Sequence, residues 1–104
     1  MAQPIQIYLG VPQTSKLPVY NVTSGQQITI KQVIFSNTAE TDSKITLTVS
    51  SIDIMKDYVV KAGETQIVNM NAVLEKNNTL FLQQEKANAI NVLISGELDQ
   101  LGSY

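Results

Sequence analysis

The sequence predicts an all-β fold: a single-domain antiparallel β-sandwich of about eight strands, jelly-roll-like or immunoglobulin-like. Three observations carry that expectation. Short β-type apolar runs recur along nearly the whole chain. Small or polar pairs, Ser24-Gly25, Ala62-Gly63, Asn77-Asn78 and Ser95-Gly96, separate many of them. The composition is rich in Thr, Ile and Val, which suit a pleated surface, and only 15% of residues are charged, against roughly 25% in an average soluble domain. A length of 104 residues suits one domain over 1–104. A candidate N-terminal arm covers 1–15, and 100–104 reads as a loose tail.

Ile5 to Leu9 alternates Ile5, Ile7 and Leu9 with Gln6 and Tyr8, which is the period of a strand. Pro4 and Pro12 bracket it, and proline has no N–H to give a ladder, so the strand belongs at an edge or in an arm. Gly10 to Ser15 is a loop. Leu17 to Val22 is a second strand, and Thr23-Ser24-Gly25 turns the chain. Gln27 to Phe35 is the longest apolar-rich run, and its phase changes: Ile28 and Ile30 share one face, Val33 and Phe35 the other. Either a β-bulge near Lys31-Gln32 restores a common inward face, or the strand is covered on both sides.

Asn37 to Ser43 is a polar loop. Lys44 to Ser50 alternates most clearly, with Ile45, Leu47 and Val49 inward and Lys44, Thr46, Thr48 and Ser50 outward. Ser51 to Val60 fits a helical turn or a bend, and the preferred reading is a bend followed by a strand at Tyr58 to Lys61. Ala62-Gly63 turns into a strand at Thr65 to Met70. Asn71 to Asn78 is a connection that tucks Val73 and Leu74 inward. Thr79 to Gln84 is a strand, Ala87-Asn88 a turn, and Ala89 to Leu98 the last strand, with Ile90, Val92 and Ile94 on one face.

The chain has no Cys, His, Trp or Arg. Acid–base catalysis draws most often on His, so no catalytic residue is assigned and an enzyme is not expected. The carboxylate pairs Glu40/Asp42, Asp53/Asp57 and Glu97/Asp99 fall in loops or strand ends and read as solvated charges. No EF-hand loop and no phosphate-cradling glycine loop is present, so no metal and no cofactor is expected. A net charge of −2 with seven scattered lysines argues against nucleic acid. No apolar run reaches the ~18 residues of a membrane span. The segment MAQPIQIYLGVPQ lacks a basic start and is not expected to be a signal peptide.

A lightly charged surface meets a protein partner at little desolvation cost. The candidate interface residues are Ile5, Ile7, Tyr8 and Leu9, together with Tyr104. The first four either add to the sheet edge of a neighbouring copy, which makes a homo-oligomer, or pair within their own sheet.

Ordered motifs run from Val19 to Leu98. A VY-x-V-x-x-G opening at Val19 to Gly25 leads to a long strand ending in Asn37-Thr38, then to the Thr-rich strand Ile45 to Val49. The turn A-G-E-T at Ala62 to Thr65 follows, then V-L-E at Val73 to Glu75 and I-S-G-E at Ile94 to Glu97. In this order and spacing they resemble small tailed-bacteriophage virion structural proteins of the decoration, neck or tail-associated type. The segment IDIMKDYVV, Ile52 to Val60, departs from that pattern. The resemblance implies a structural component of a bacteriophage particle on the capsid, neck or tail, made in the host cytoplasm and localised to the virion. Its implied partners are further copies of itself and other virion proteins, and it brings no catalytic residues. The alternative reading is a host-surface glycan-binding or adhesion module using tyrosines and polar loops.

Overall fold

The computed structural model describes residues 2–100. Eight strands follow one another: β1 (Ala2–Gly10), β2 (Leu17–Asn21), β3 (Gln26–Asn37), β4 (Ser43–Val49), β5 (Ile52–Val60), β6 (Thr65–Leu74), β7 (Thr79–Gln84) and β8 (Ile90–Gln100). They form two four-stranded sheets, β1-β8-β3-β6 and β2-β7-β4-β5, and every pairing is antiparallel. β1 pairs with β8, β2 with β7, β3 with β6 and β4 with β5. The chain is thus one long hairpin, its first four strands against its last four in reverse order, rolled into two layers. That is a jelly roll, and it resolves the choice left open between the two sandwich types.

The core lies between the layers. Ile28, Ile30, Val33 and Phe35 of β3 and Ile90, Val92, Ile94 and Leu98 of β8 meet Ile45 and Leu47 of β4 and Leu80 and Leu82 of β7. Each such side chain contributes about 1.5–3 kcal/mol by leaving water. The phase change in β3 has the cause expected of a bulge. Its register against β8 shifts between Ile30 and Gln32, which leaves Lys31 as the extra residue. Ile28, Ile30, Val33 and Phe35 therefore all face inward, while Ile34 stays half-buried on the outer face.

Several strands differ from expectation for local reasons. β1 pairs with β8 in its own sheet, so Ala2–Gly10 is not a free arm. Its register shifts between Gln6 and Tyr8 at Ile7, which inverts the alternation: Ile7 is 6% exposed in the core, Tyr8 packs half-buried against that core, and Leu9 turns out. Gln100, expected in a loose tail, is the last residue of β8 and pairs with Gln26. Thr48, expected to face water, is 3% exposed, because β5 folds beside it and its hydroxyl donates to Asp53 Oδ1 at 2.7 Å.

β5 is a nine-residue strand rather than a bend with a short strand. Ser50 (φ 57°) lies in the turn that precedes it and Asp57 (φ 52°) lies within it, both left-handed, and its register to β4 shifts twice. Each shift breaks the period of two that a sequence reading relies on. β6 runs on to Leu74, so Val73 is an outward strand residue, 52% exposed, while Leu74 is buried as expected.

One end of the sandwich is tied by Asn37, which is buried at the close of β3. Its amide donates to the carbonyls of Thr41 at 3.0 Å and Val60 at 2.8 Å, and its Oδ1 accepts the Ala39 N–H at 2.8 Å. Buried Gln84 ties the loop after β1, donating to the Pro12 carbonyl and accepting the Ile90 N–H at 2.9 Å.

Candidate functional site

The two sheets present unlike outer faces to solvent. On β1-β8-β3-β6 the register aligns Leu9, Leu93, Ile34 and Ile67 into one row across all four strands. Leu9 and Ile67, at the two ends, are 63% and 57% exposed, and Leu93 and Ile34 between them are half-buried. On one side of the row lie Gln6, Ser95, Gln32 and Asn69, with Gln32 Nε2 donating to Asn69 Oδ1 at 3.1 Å. On the other lie Asn91, Ser36 and Thr65, with the Thr65 hydroxyl donating to Ser36 Oγ at 3.4 Å. These three rows carry no charged side chain. Charge enters this face beyond them, where Lys31 and Glu97 line a shallow hollow with Leu93 and Ser95, and the apolar row gains directly from burial.

The outer face of β2-β7-β4-β5 is charged. Lys16, Lys44, Lys56, Asp53 and Asp57 line a groove of about 580 Å³. Lys16 Nζ stands 5.0 Å above the Phe81 ring, a contact worth roughly 0.5–1 kcal/mol at an exposed site. The Asp57 N–H donates to Thr46 Oγ1 at 3.0 Å. Ions of both signs in this groove hold their water, so this face is the costlier one to bury. Among the described residues no group of three or more Asp and Glu side chains is placed to hold a metal ion, and of the three carboxylate pairs Glu97 stands nearest the apolar row, in the hollow that Leu93 also lines.

Of the expected interface residues, only Leu9 belongs to this row. Ile5 is half-buried opposite Gly96 and packs against the core. Ile7 is part of the core itself, which removes it from any interface. Tyr8 packs half-buried against the core, and that burial pushes its phenol up from its ordinary pKa. Tyr104 lies outside the described residues. Ile34, Leu93 and Ile67 were missed. Their signal was present as outward apolar positions between polar ones, such as Leu93 between Asn91 and Ser95, but one sequence does not say which strands stand side by side.

No protein-family model and no curated protein matches the chain. Among solved structures, the Drosophila NLP core matches with a TM-score of 0.59 and 18% identity, over 95% of this chain and 98% of that one. It is a nucleoplasmin core, also of β-sandwich type, and its crystal structure is described as giving insight into pentamer formation and histone binding. At this identity the likeness is one of fold. The neighbour is a histone-binding, pentamer-forming core rather than a capsid, neck or tail protein, and it overturns the expectation of a structural component of a bacteriophage particle. The motifs behind that expectation are turns and strand ends of the jelly roll, such as Ala62 to Thr65 at the β5–β6 turn. They report the fold and not its biological setting.

Proposed function

We propose that this chain is a self-assembling jelly roll that forms a closed homo-oligomer, a pentamer as in the Drosophila core, and that the assembly binds a basic protein of the histone kind. The observation that carries the assembly is the apolar row Leu9–Leu93–Ile34–Ile67, flanked on both sides by uncharged polar rows, on the outer face of β1-β8-β3-β6. A monomer gains nothing from leaving that row in water, and a second copy buries it with the nearest charges, Lys31 and Glu97, left at the rim.

The basic partner follows from the charge. The chain has a pI near 4.9, and five copies of its formal −2 make a ring of about −10. The loops joining β3 to β4, β5 to β6 and β7 to β8 meet at one end of the sandwich, where Ala62 N–H donates to Asp42 Oδ1 and Lys86 Nζ to the Asp42 carbonyl. These loops carry Glu40, Asp42, Glu64 and Glu85 along with Lys61 and Lys86. In a ring, that end repeats around the axis and steers a cation by its summed field. The reading assigns no catalytic group.

The test is a titration of purified histones into the protein at rising salt, with poly-lysine as the control. Saturable histone binding that is tighter than poly-lysine binding and weakens as salt rises supports the reading. Absence of binding at ~0.1 M salt, where the Debye length is still about 10 Å, overturns the partner. A monomeric mass overturns the assembly.

A further inference from the structure

The row runs unbroken from edge to edge, but the most exposed apolar side chains lie at the opposite flanks of the sandwich, and a ring requires two such flanks. A two-fold dimer uses one patch twice, whereas a closed ring joins two different patches head to tail. β1 and β6 are the two edges of the sheet that carries the apolar row. Leu9 lies on β1, and exposed Val11 follows it. Ile67 and Val73 lie on β6, and exposed Ile52, Ile54 and Val59 on β5, the edge of the other sheet on the same side as β6. The seven exposed large apolar side chains among the described residues thus fall two to one flank and five to the other.

The strands themselves agree. Edge strands that face water are ordinarily blunted by charge, shortness or proline. β2 is five residues long with Pro18, and β5 carries Asp53, Lys56 and Asp57. β6 runs ten residues from Thr65 to Leu74 without a charged side chain, and β1 runs nine residues without one, its single guard, Pro4, standing opposite Glu97 away from Leu9. The two edges without charge belong to one sheet, and the row from Leu9 to Ile67 joins them. A molecule of 53 × 23 × 18 Å offers on a long side on the order of 1,000 Å², enough for the ~800 Å² per partner of a standard interface.

We infer that assembly is head to tail: the β1 flank of one copy, with Leu9 and Val11, packs on the β5–β6 flank of the next copy, with Ile67 and Val59. This rests on the proposal of a closed homo-oligomer and names the two surfaces that make it.

The experiment uses two variants, each with two exposed residues replaced so that folding is spared: Leu9→Asp with Val11→Asp, and Val59→Asp with Ile67→Asp. Far-ultraviolet circular dichroism checks that each keeps the wild-type spectrum, and Leu9→Ser with Val11→Ser and Val59→Ser with Ile67→Ser stand in for any that does not. Native mass spectrometry then reads the assemblies. Each variant alone is expected as a monomer. Their equimolar mixture is expected to give a heterodimer and nothing larger, because one intact joint of complementary flanks remains. A variant that keeps the wild-type assembly, or a mixture without heterodimer, overturns the head-to-tail assignment while leaving self-assembly standing. A wild-type chain that is itself monomeric overturns self-assembly and this assignment with it.

Discussion

Gly96 of β8 packs directly against the backbone of Thr29 in β3. A Cβ on Gly96 would fall within contact of the Thr29 carbonyl oxygen, with the Thr29 carbonyl carbon at 3.0 Å and Ile30 Cα at 3.1 Å. The close approach sits where β3 bulges at Lys31, and that bulge leaves Ile34 outward beside Leu93. The residue without a side chain therefore permits both the continuous core and the apolar row behind it.

Gly96→Ala is expected to cost at least about 3 kcal/mol, since backbone rather than a flexible side chain must give way. Urea denaturation monitored by tyrosine fluorescence measures it. A cost below about 0.5 kcal/mol would show that the two strands separate freely at the bulge.

Leu47→Ala is expected to lose about 2–5 kcal/mol, because Leu47 is fully buried between the sheets. Thr48→Ala is expected to lose roughly 1–2 kcal/mol rather than nothing, since it leaves Asp53 without its hydroxyl donor. Equal losses at the two positions in chemical denaturation would contradict the inward and outward assignment of β4.

Asn37→Ala removes three hydrogen bonds and leaves the Val60 carbonyl buried without that donor, a loss of about 2–3 kcal/mol. Asn37→Asp should be worse, because a carboxylate there faces two carbonyls. Thermal unfolding of both variants checks the order. Asp tolerated better than Ala would show that the amide does not donate to Thr41 and Val60.

Burial raises the Tyr8 phenol above its ordinary 10.0 in the folded chain. The unfolded chain then releases this proton first, so stability is intact below about pH 10 and falls as pH rises through the folded value. Tyr8→Phe is expected to flatten that alkaline decline in urea midpoints taken from pH 8 to 11. An unchanged slope would place the hydroxyl in water.

How much of this was legible depended on whether the alternation of a strand was regular. β4 showed Ile45 and Leu47 inward because each stands two residues from the next, and the broken phase between Ile30 and Val33 posed a choice between a bulge and two-sided cover that the β8 register settled for the bulge. β5 was not legible: two register shifts and left-handed Asp57 remove any period from IDIMKDYVV. The inversion at Ile7 had the same cause, and it made a core residue look like an interface residue. Thr48 was misread because outward residues can be covered by a neighbouring strand that the sequence does not place. For the candidate site, Leu9 was visible as an apolar residue at an edge. Its row was not, since Leu93, Ile34 and Ile67 come together only through the strand order β1-β8-β3-β6.

The mass of the chain in solution by sedimentation equilibrium, at micromolar concentration and physiological salt, tests self-assembly most directly. Five copies of 11.4 kDa give a single species of about 57 kDa. A species of 11.4 kDa at every concentration would contradict the account, because the row from Leu9 to Ile67 would then face water with nothing to cover it.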